Sequence, residues 1–184
     1  MSEWSAEDEL ELITAAQRGD TSAFGELIRR HQRGVVNVVY RMCGNADLAE
    51  DAAQEAFIRA WRRLPDYRPS SRFRNWLYRI ALNAAYDALR QDRETVDIDE
   101  LPIAAPQDGP AATFEQQERA EQVRQAVLAL PPASRAVIVL REYEGLSYRE
   151  IADALAIPVG TVMSRLNYAR RCLREALAPY LEVI

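Results

Sequence analysis

The stretch S-Y-R-E-I-A-D-A-L-A-I-P-V-G-T-V-M-S-R-L-N-Y-A-R-R-C-L-R, from Ser147 to Arg174, leaves this chain little choice of local structure. Ser147 followed by Glu150 is a capping box, which starts a helix. Ile151 and Leu155, four apart, give that helix one apolar face. Pro158 has no N–H to donate and suits the first turn of a second helix. In that helix Val162, Leu166, Ala169 and Leu173 recur at i, i+4, i+7 and i+11, which is one buried stripe. At ~100° per residue, Gly160, Ser164, Asn167 and Arg171 fall opposite the stripe, with Met163 and Tyr168 beside them. A short-turn helix pair with a small, polar and cationic outer face is how a helix-turn-helix places a helix in the major groove. An ordinary helical hairpin with solvated arginines is the alternative that the same spacing permits.

The charge pattern asks for more than one partner surface. The chain of 184 residues carries a net charge of -5, which by itself argues against nucleic acid, but its distribution matters more. All 23 cationic residues are arginine. Between Arg59 and Arg93 nine arginines face only Asp66, Asp87 and Asp92, a local net of +6. Acidic residues gather at the N-terminus and between Glu94 and Asp108. No apolar run approaches the ~20 residues of a membrane span, so no membrane insertion is expected. The acidic start is unlike a signal peptide, and a cytoplasmic protein is expected. Cys43 and Cys172 lie far apart inside helical patterns. They read as reduced, packed thiols, with a redox switch as the lesser alternative.

Taken in order, the chain is expected to be all-α. Ser5 with Asp8 caps a first helix that Gly19 ends. Asp20 caps a second, carried by Phe24, Leu27, Ile28, Val35, Val38, Val39 and Met42 and stopped by Gly44-Asn45. Asp47 and Glu50 form a capping box for a third, with apolar area from Leu48, Ala52, Phe57, Ile58 and Trp61. Its other side carries Asp51, Gln54 and Glu55, a solvated ridge or a protein contact. A metal site there is disfavoured, because the lone His31 belongs to another helix. After the exposed P-D-Y-R-P-S-S loop comes R-F-R-N-W-L-Y-R-I-A-L-N, with Phe73, Trp76 and Tyr78 set among Arg72, Arg74 and Arg79. Aromatics beside arginines can stack splayed bases while neutralising phosphates, unless Phe73 and Trp76 are core residues. Residues 94–112 have no helical period and three prolines, and read as an acidic linker. Fully extended, ~20 residues reach on the order of 65 Å. Thr113 with Gln116 opens the next helix, Pro131-Pro132 breaks it, and Val137 to Tyr143 forms the helix before the motif. The expected division is therefore two small helical domains, 1–93 and 113–184, joined by a flexible linker, 94–112.

Five ordered segments carry a family resemblance: A-E-D-A-A-Q-E-A-F, F-R-N-W-L-Y-R-I-A-L-N, L-P-P-A-S-R-A-V, Y-E-G-L-S-Y-R-E-I-A and P-V-G-T-V-M-S-R-L. With them the chain resembles a group 4 bacterial sigma factor, the extracytoplasmic-function type of the sigma-70 family. The resemblance implies a sigma-2 domain whose Asp51, Gln54, Glu55 and Phe57 meet the clamp helices of the largest subunit of core RNA polymerase. It implies that Tyr67, Arg68, Ser71, Phe73, Arg74, Trp76, Arg79 and Asn83 hold the non-template strand of the -10 element. There a base leaves the stack, at a cost of a few kcal/mol. It implies a sigma-4 domain whose helix from Val159 reads the -35 element of promoter DNA through Gly160, Thr161, Met163, Ser164, Arg165, Asn167, Tyr168 and Arg171, while another surface meets the polymerase flap. The linker would thread toward the RNA exit path, and an anti-sigma factor is the further expected partner. Two residues depart from the family pattern: Met163 and Tyr168 stand where a basic residue is common. Arg165, ~60° from the buried stripe, reaches a phosphate more easily than the groove centre.

An autonomous dimeric helix-turn-helix regulator would account for Ser147–Arg174 but leave the arginine-aromatic segment without a task. An enzyme is a poor fit. The chain offers one histidine, no glycine-rich phosphate loop, no paired His/Cys ligands and no nucleophile beside a base. No cofactor and no metal are expected. The expected function is promoter-specific initiation by a dissociable polymerase subunit, without catalysis of its own.

Overall fold

Asp20 fixes the start of the first long helix. Its carboxylate accepts from the Ser22 and Ala23 N–H groups at 2.8 and 3.0 Å, two donors a helix start leaves unpaired. In the computed structural model, which describes residues 6–69, 72–95 and 114–181, this is α2 (Thr21–Cys43), preceded by α1 (Ala6–Gln17). Gly44, at φ 75°, closes α2 in the left-handed conformation glycine tolerates best. Helix α3 (Ala46–Arg63) follows, then a 3-10 turn (Leu64–Asp66) and α4 (Phe73–Thr95). The second half is α5 (Phe114–Leu128), α6 (Pro132–Ile138), a π turn (Val139–Tyr143), α7 (Tyr148–Leu155) and α8 (Val159–Leu181). The described residues hold no strand. The expected cap at Ser5, the base contact at Ser71, residues 96–112 of the linker and the cap at Thr113 lie outside the described residues.

Three sequence expectations shift. The cap of α3 is Asn45, extended at φ -119° and ψ 131°, whose side chain accepts from Leu48 N–H; Asp47 sits in the first turn, not at the cap. The buried face of α3 is a run of alanines, Ala49, Ala52, Ala53, Ala56 and Ala60, while Ile58, read as core, is 46% exposed. Small side chains let the bulkier Leu27, Val35, Met42, Leu77 and Leu82 of α2 and α4 close on the helix. The expected helix Val137–Tyr143 begins five residues earlier, with Pro132 at its first position, and widens into the π turn.

The capping box forms as expected. Ser147 and Glu150 bond reciprocally, Leu146, Ile151 and Ala154 are buried, and Ala156 turns the chain at φ 52° and ψ 47° into α8. On α8, Val162, Leu166 and Ala169 of the expected stripe are buried, and Leu173, its last member, is half-buried against the core.

The two helical domains touch, which the sequence reading did not anticipate. Helix α4 packs on α7, and α2 packs on α5, α6 and the π turn. Arg135 of α6 is 7% exposed. Its guanidinium donates to Met42 O at the end of α2, to Leu128 O at the end of α5 and, at 3.1 Å, to Leu130 O. These are carbonyls a helix end leaves without partners, at the negative pole of the helix dipole. Arg124 adds a bond to Gly44 O at 3.1 Å. Tyr78 of α4 donates to Glu144, and a Cβ on Gly34 would sit 2.5 Å from the Tyr78 hydroxyl, so Gly34 is the gap that admits this contact.

Arg135→Met should keep the volume but strand those carbonyls. Charge-assisted hydrogen bonds at buried sites are worth roughly 1.5–3 kcal/mol each before relaxation. A net loss of about 3 kcal/mol in urea unfolding is expected, whereas Arg29→Met on the exposed surface should leave the transition unchanged.

Candidate nucleic-acid interface

The face of α8 opposite its buried stripe is open. Gly160, Ser164, Asn167 and Arg171 are exposed, Met163 and Tyr168 remain 48% and 41% accessible, and Thr161 and Arg165 are half-buried at its edges. Ser164 is aligned by its hydroxyl donating to Thr161 O at 3.0 Å. Arg171 lies over the Tyr168 ring, 5.6 Å from its centroid. From Val159 to Arg174 the helix carries no carboxylate, so nothing on this face repels a phosphate.

The arginine-aromatic surface of α4 differs from its expectation. Phe73 is 1% and Tyr67 4% exposed. They pack on half-buried Trp76 at centroid distances of 5.0 and 5.3 Å and edge-on against each other at 5.6 Å, and His31 closes on Phe73 at 5.4 Å. Tyr67 and Phe73 therefore brace Trp76 rather than offer their own rings to a base. The physical reason is local: the loop after α3 is drawn inward because Gln17 donates to Leu64 O and Tyr67 O at 3.0 and 2.9 Å. Arg68 stays at the surface, donating to Pro65 O and Tyr67 O at 3.3 and 3.4 Å.

The remaining cations of this surface face the second domain. Arg79 donates to Asp153 O and, at 3.1 Å, to Ala154 O, near the C-terminal end of α7. Arg72 and Arg74 lie 3.4 and 3.9 Å from Glu150 Oε1. Arg79, Asn83 and Tyr86 share a cleft of about 230 Å³ with Arg165 of α8. Sequence reading could not supply Glu150, Glu144 or Arg165 as neighbours of α4, because each partner lies more than sixty residues away and no local period encodes the pairing.

On the opposite flank Asp51 and Gln54 are exposed. Glu55 is held by Arg59 at 2.7 Å, which also bonds Asp87 of α4 at 2.6 Å. Phe57 is half-buried against the core. Asp51 and Gln54 are thus the ridge groups with least intramolecular commitment. His31 pairs with Glu9 at 2.9 Å, and no cluster of metal-ligating side chains occurs among the described residues. Cys43 and Cys172 are free thiols, and burial pushes Cys43 up to about 12, so it stays protonated. No helix among the described residues is long and apolar enough to cross a membrane.

Known proteins share this arrangement. The Sigma-70 region 2 family matches residues 27–95, and the Sigma-70, region 4 family matches residues 120–173. The RNA polymerase sigma-H factor of Pseudomonas aeruginosa is 39% identical, over 95% of this chain and 96% of its own length. The ECF RNA polymerase sigma-E factor of Escherichia coli is 38% identical, over 92% of this chain and 94% of its own. Among solved structures, CnrH in complex with the cytosolic domain of CnrY superimposes with TM-score 0.71 at 28% identity, covering 94% of this chain and 97% of that one. The sigma factor RpoE in complex with the anti-sigma factor NepR, from Bartonella quintana, gives TM-score 0.68 at 25% identity, covering 84% and 96%.

Glu150 couples the helix-turn-helix to α4. Its pKa is lowered, first by the Ser147 backbone N–H, then by the Ser147 hydroxyl and by Arg72 and Arg74. A carboxylate whose folded pKa is depressed contributes stability that is present above its ordinary value, 4.5, and is lost as pH falls through the folded value. Acid titration followed by near-ultraviolet circular dichroism should show loosening below about pH 4.5, and Glu150→Gln should flatten that limb. Ser147→Ala should cost about 1 kcal/mol at neutral pH, the ordinary worth of such a cap.

Proposed function

The chain belongs to the extracytoplasmic-function class of the sigma-70 family and is a promoter-directing alternative sigma factor, and on that premise we propose how its surfaces divide the work. Residues 1–93 act as the sigma-2 domain and 113–184 as the sigma-4 domain, with 94–112 connecting them. Asp51 and Gln54, with Glu55 and Phe57 behind them, dock on core RNA polymerase. Trp76, Arg68, Arg74, Arg79 and Asn83 hold the opened -10 strand, with Tyr67 and Phe73 bracing Trp76 and Ser71 contacting the same strand. The groove face of α8 reads the -35 element of promoter DNA. The protein works in the cytoplasm and catalyses nothing itself; the polymerase supplies the chemistry.

The open, carboxylate-free groove face of α8 in the same chain as an arginine-aromatic helix carries this reading. The two elements lie about 25 base pairs apart by name, ~85 Å at 3.4 Å per pair. A compact chain of this length has a radius of gyration of about 16 Å. The domains must therefore part on the promoter, releasing Arg72, Arg74 and Arg79 from α7. An anti-sigma factor gripping both domains would hold the closed form, and the similar RpoE was solved in complex with an anti-sigma factor.

Reconstitution with core polymerase and run-off transcription tests the assignment. Asp51→Arg should cut core affinity at least tenfold by charge reversal at a protein interface. Arg171→Ala should leave core affinity intact and weaken use of the upstream element by about 1–3 kcal/mol. Absence of both core binding and initiation, with dimeric binding to a free palindromic duplex, would instead identify an autonomous regulator.

Small-angle scattering of the free chain should give the compact radius, and Arg79→Ala should raise it. An unchanged radius would show that Arg79 does not hold the domains together.

A further inference from the structure

Two large apolar side chains remain on a face of α8 that no described residue covers. Helix α8 buries Val162, Leu166 and Ala169, yet leaves Met163 and Tyr168 48% and 41% exposed. They flank the polar centre of the face, formed by Gly160, Ser164 and Arg171. On a wheel of ~100° per residue they lie about 80° and 60° to either side of it. Five residues apart, they are separated by about 7.5 Å along the axis, roughly two base-pair steps. Arg171 lies over the Tyr168 ring, 5.6 Å from its centroid. A ring fixed before binding loses little freedom on binding.

The chemistry of the groove then narrows what these residues meet. Base edges in the major groove are donors and acceptors, and the apolar group among them is the C5-methyl of thymine. The helix carries no carboxylate from Val159 to Arg174 to accept from a cytosine amine. We propose that Met163 and Tyr168 are specificity residues that pack on thymine methyl groups, one on each side of the centre read by Ser164 and Arg171. This rests on the assignment of the α8 face to the -35 element and adds the base class to it. The upstream element of this sigma factor therefore carries thymine, on either strand, where a guanidinium at position 163 or 168 would select guanine.

The test uses holoenzyme assembled from core polymerase and the full chain. Duplex promoters randomised over the upstream element are selected for binding. The selected duplex is then remade with deoxyuridine replacing thymine in that element alone, which removes only methyl groups. Wild type should lose about fourfold in affinity for each methyl it reads, the worth of one buried methylene-sized group. Met163→Ala and Tyr168→Ala should each make a different position indifferent to uracil. Met163→Arg should turn its position toward guanine. Equal affinity of wild type for the thymine and uracil duplexes, or selection of elements without thymine, would overturn the proposal. Ser164→Ala and Arg171→Ala in the same assay separate the two levels. If they alter selection while uracil does nothing, only methyl reading fails. If none of the four residues affects the upstream element, the assignment of the face fails with it.

Discussion

A helix end in each domain is completed by arginine from the other. The C-terminus of α2 receives Arg135 and Arg124 from the second domain, and the C-terminus of α7 receives Arg79 from the first. The last carbonyls of a helix have no partners within it and carry the negative end of its dipole. A guanidinium satisfies them better than an ammonium would, because its planar fork reaches two or three carbonyls without bending. The closed arrangement therefore rests on an apolar core shared by both domains and on three cations placed where the backbone is short of donors.

These contacts are not equally permanent. Arg135 is buried, and its partners include both ends of its own domain's α5–α6 junction, Leu128 and Leu130. Removing it would damage the second domain even with the domains apart. Arg79 is exposed and Arg72, Arg74 and Glu150 meet at the rim, where ion pairs are worth at most about 1 kcal/mol. A nucleic-acid strand offers those same arginines a dense row of phosphates, with release of counterions as an added gain. The arginines that close the molecule are those the proposed -10 contact requires, so closure and strand capture compete for one set of donors. That competition needs no new conformation within either domain, only separation of α4 from α7 and of α2 from α5, α6 and the π turn.

What could be read in advance divides along the same line. The cap at Ser147, the buried stripe of α8, the stop at Gly44 and the break at Pro131-Pro132 were legible because each is a local rule of backbone geometry. The cap of α3 was misplaced by two residues because Asn45 and Asp47 are both competent, and only the extended backbone at Asn45 decides between them. The burial of Tyr67 and Phe73 was hidden for another reason. Gln17, about fifty residues away, draws their loop inward, and no spacing announces that bond. The domain contact was beyond reach entirely, since Arg79 and Asn83 look equally suited to phosphate and to carbonyl. In the sequence a free cation and an engaged one are the same letter.

Glu150 shows how the two domains can part without either unfolding. One carboxylate oxygen, Oε2, accepts from the Ser147 backbone N–H at 2.9 Å and from the Ser147 hydroxyl at 2.8 Å. The other, Oε1, faces Arg72 and Arg74. The cap that founds α7 and the contact that attaches α7 to α4 thus use opposite sides of one group. When phosphates take the arginines, Oε1 returns to water while Oε2 still closes the capping box. The helix-turn-helix keeps its start, its buried Ile151 and its open α8 face throughout. The proposed reading head has to be rigid on duplex DNA and yet detachable from its neighbour, and with the two roles on separate oxygens the loss of the rim ion pairs to Arg72 and Arg74 does not reach the cap.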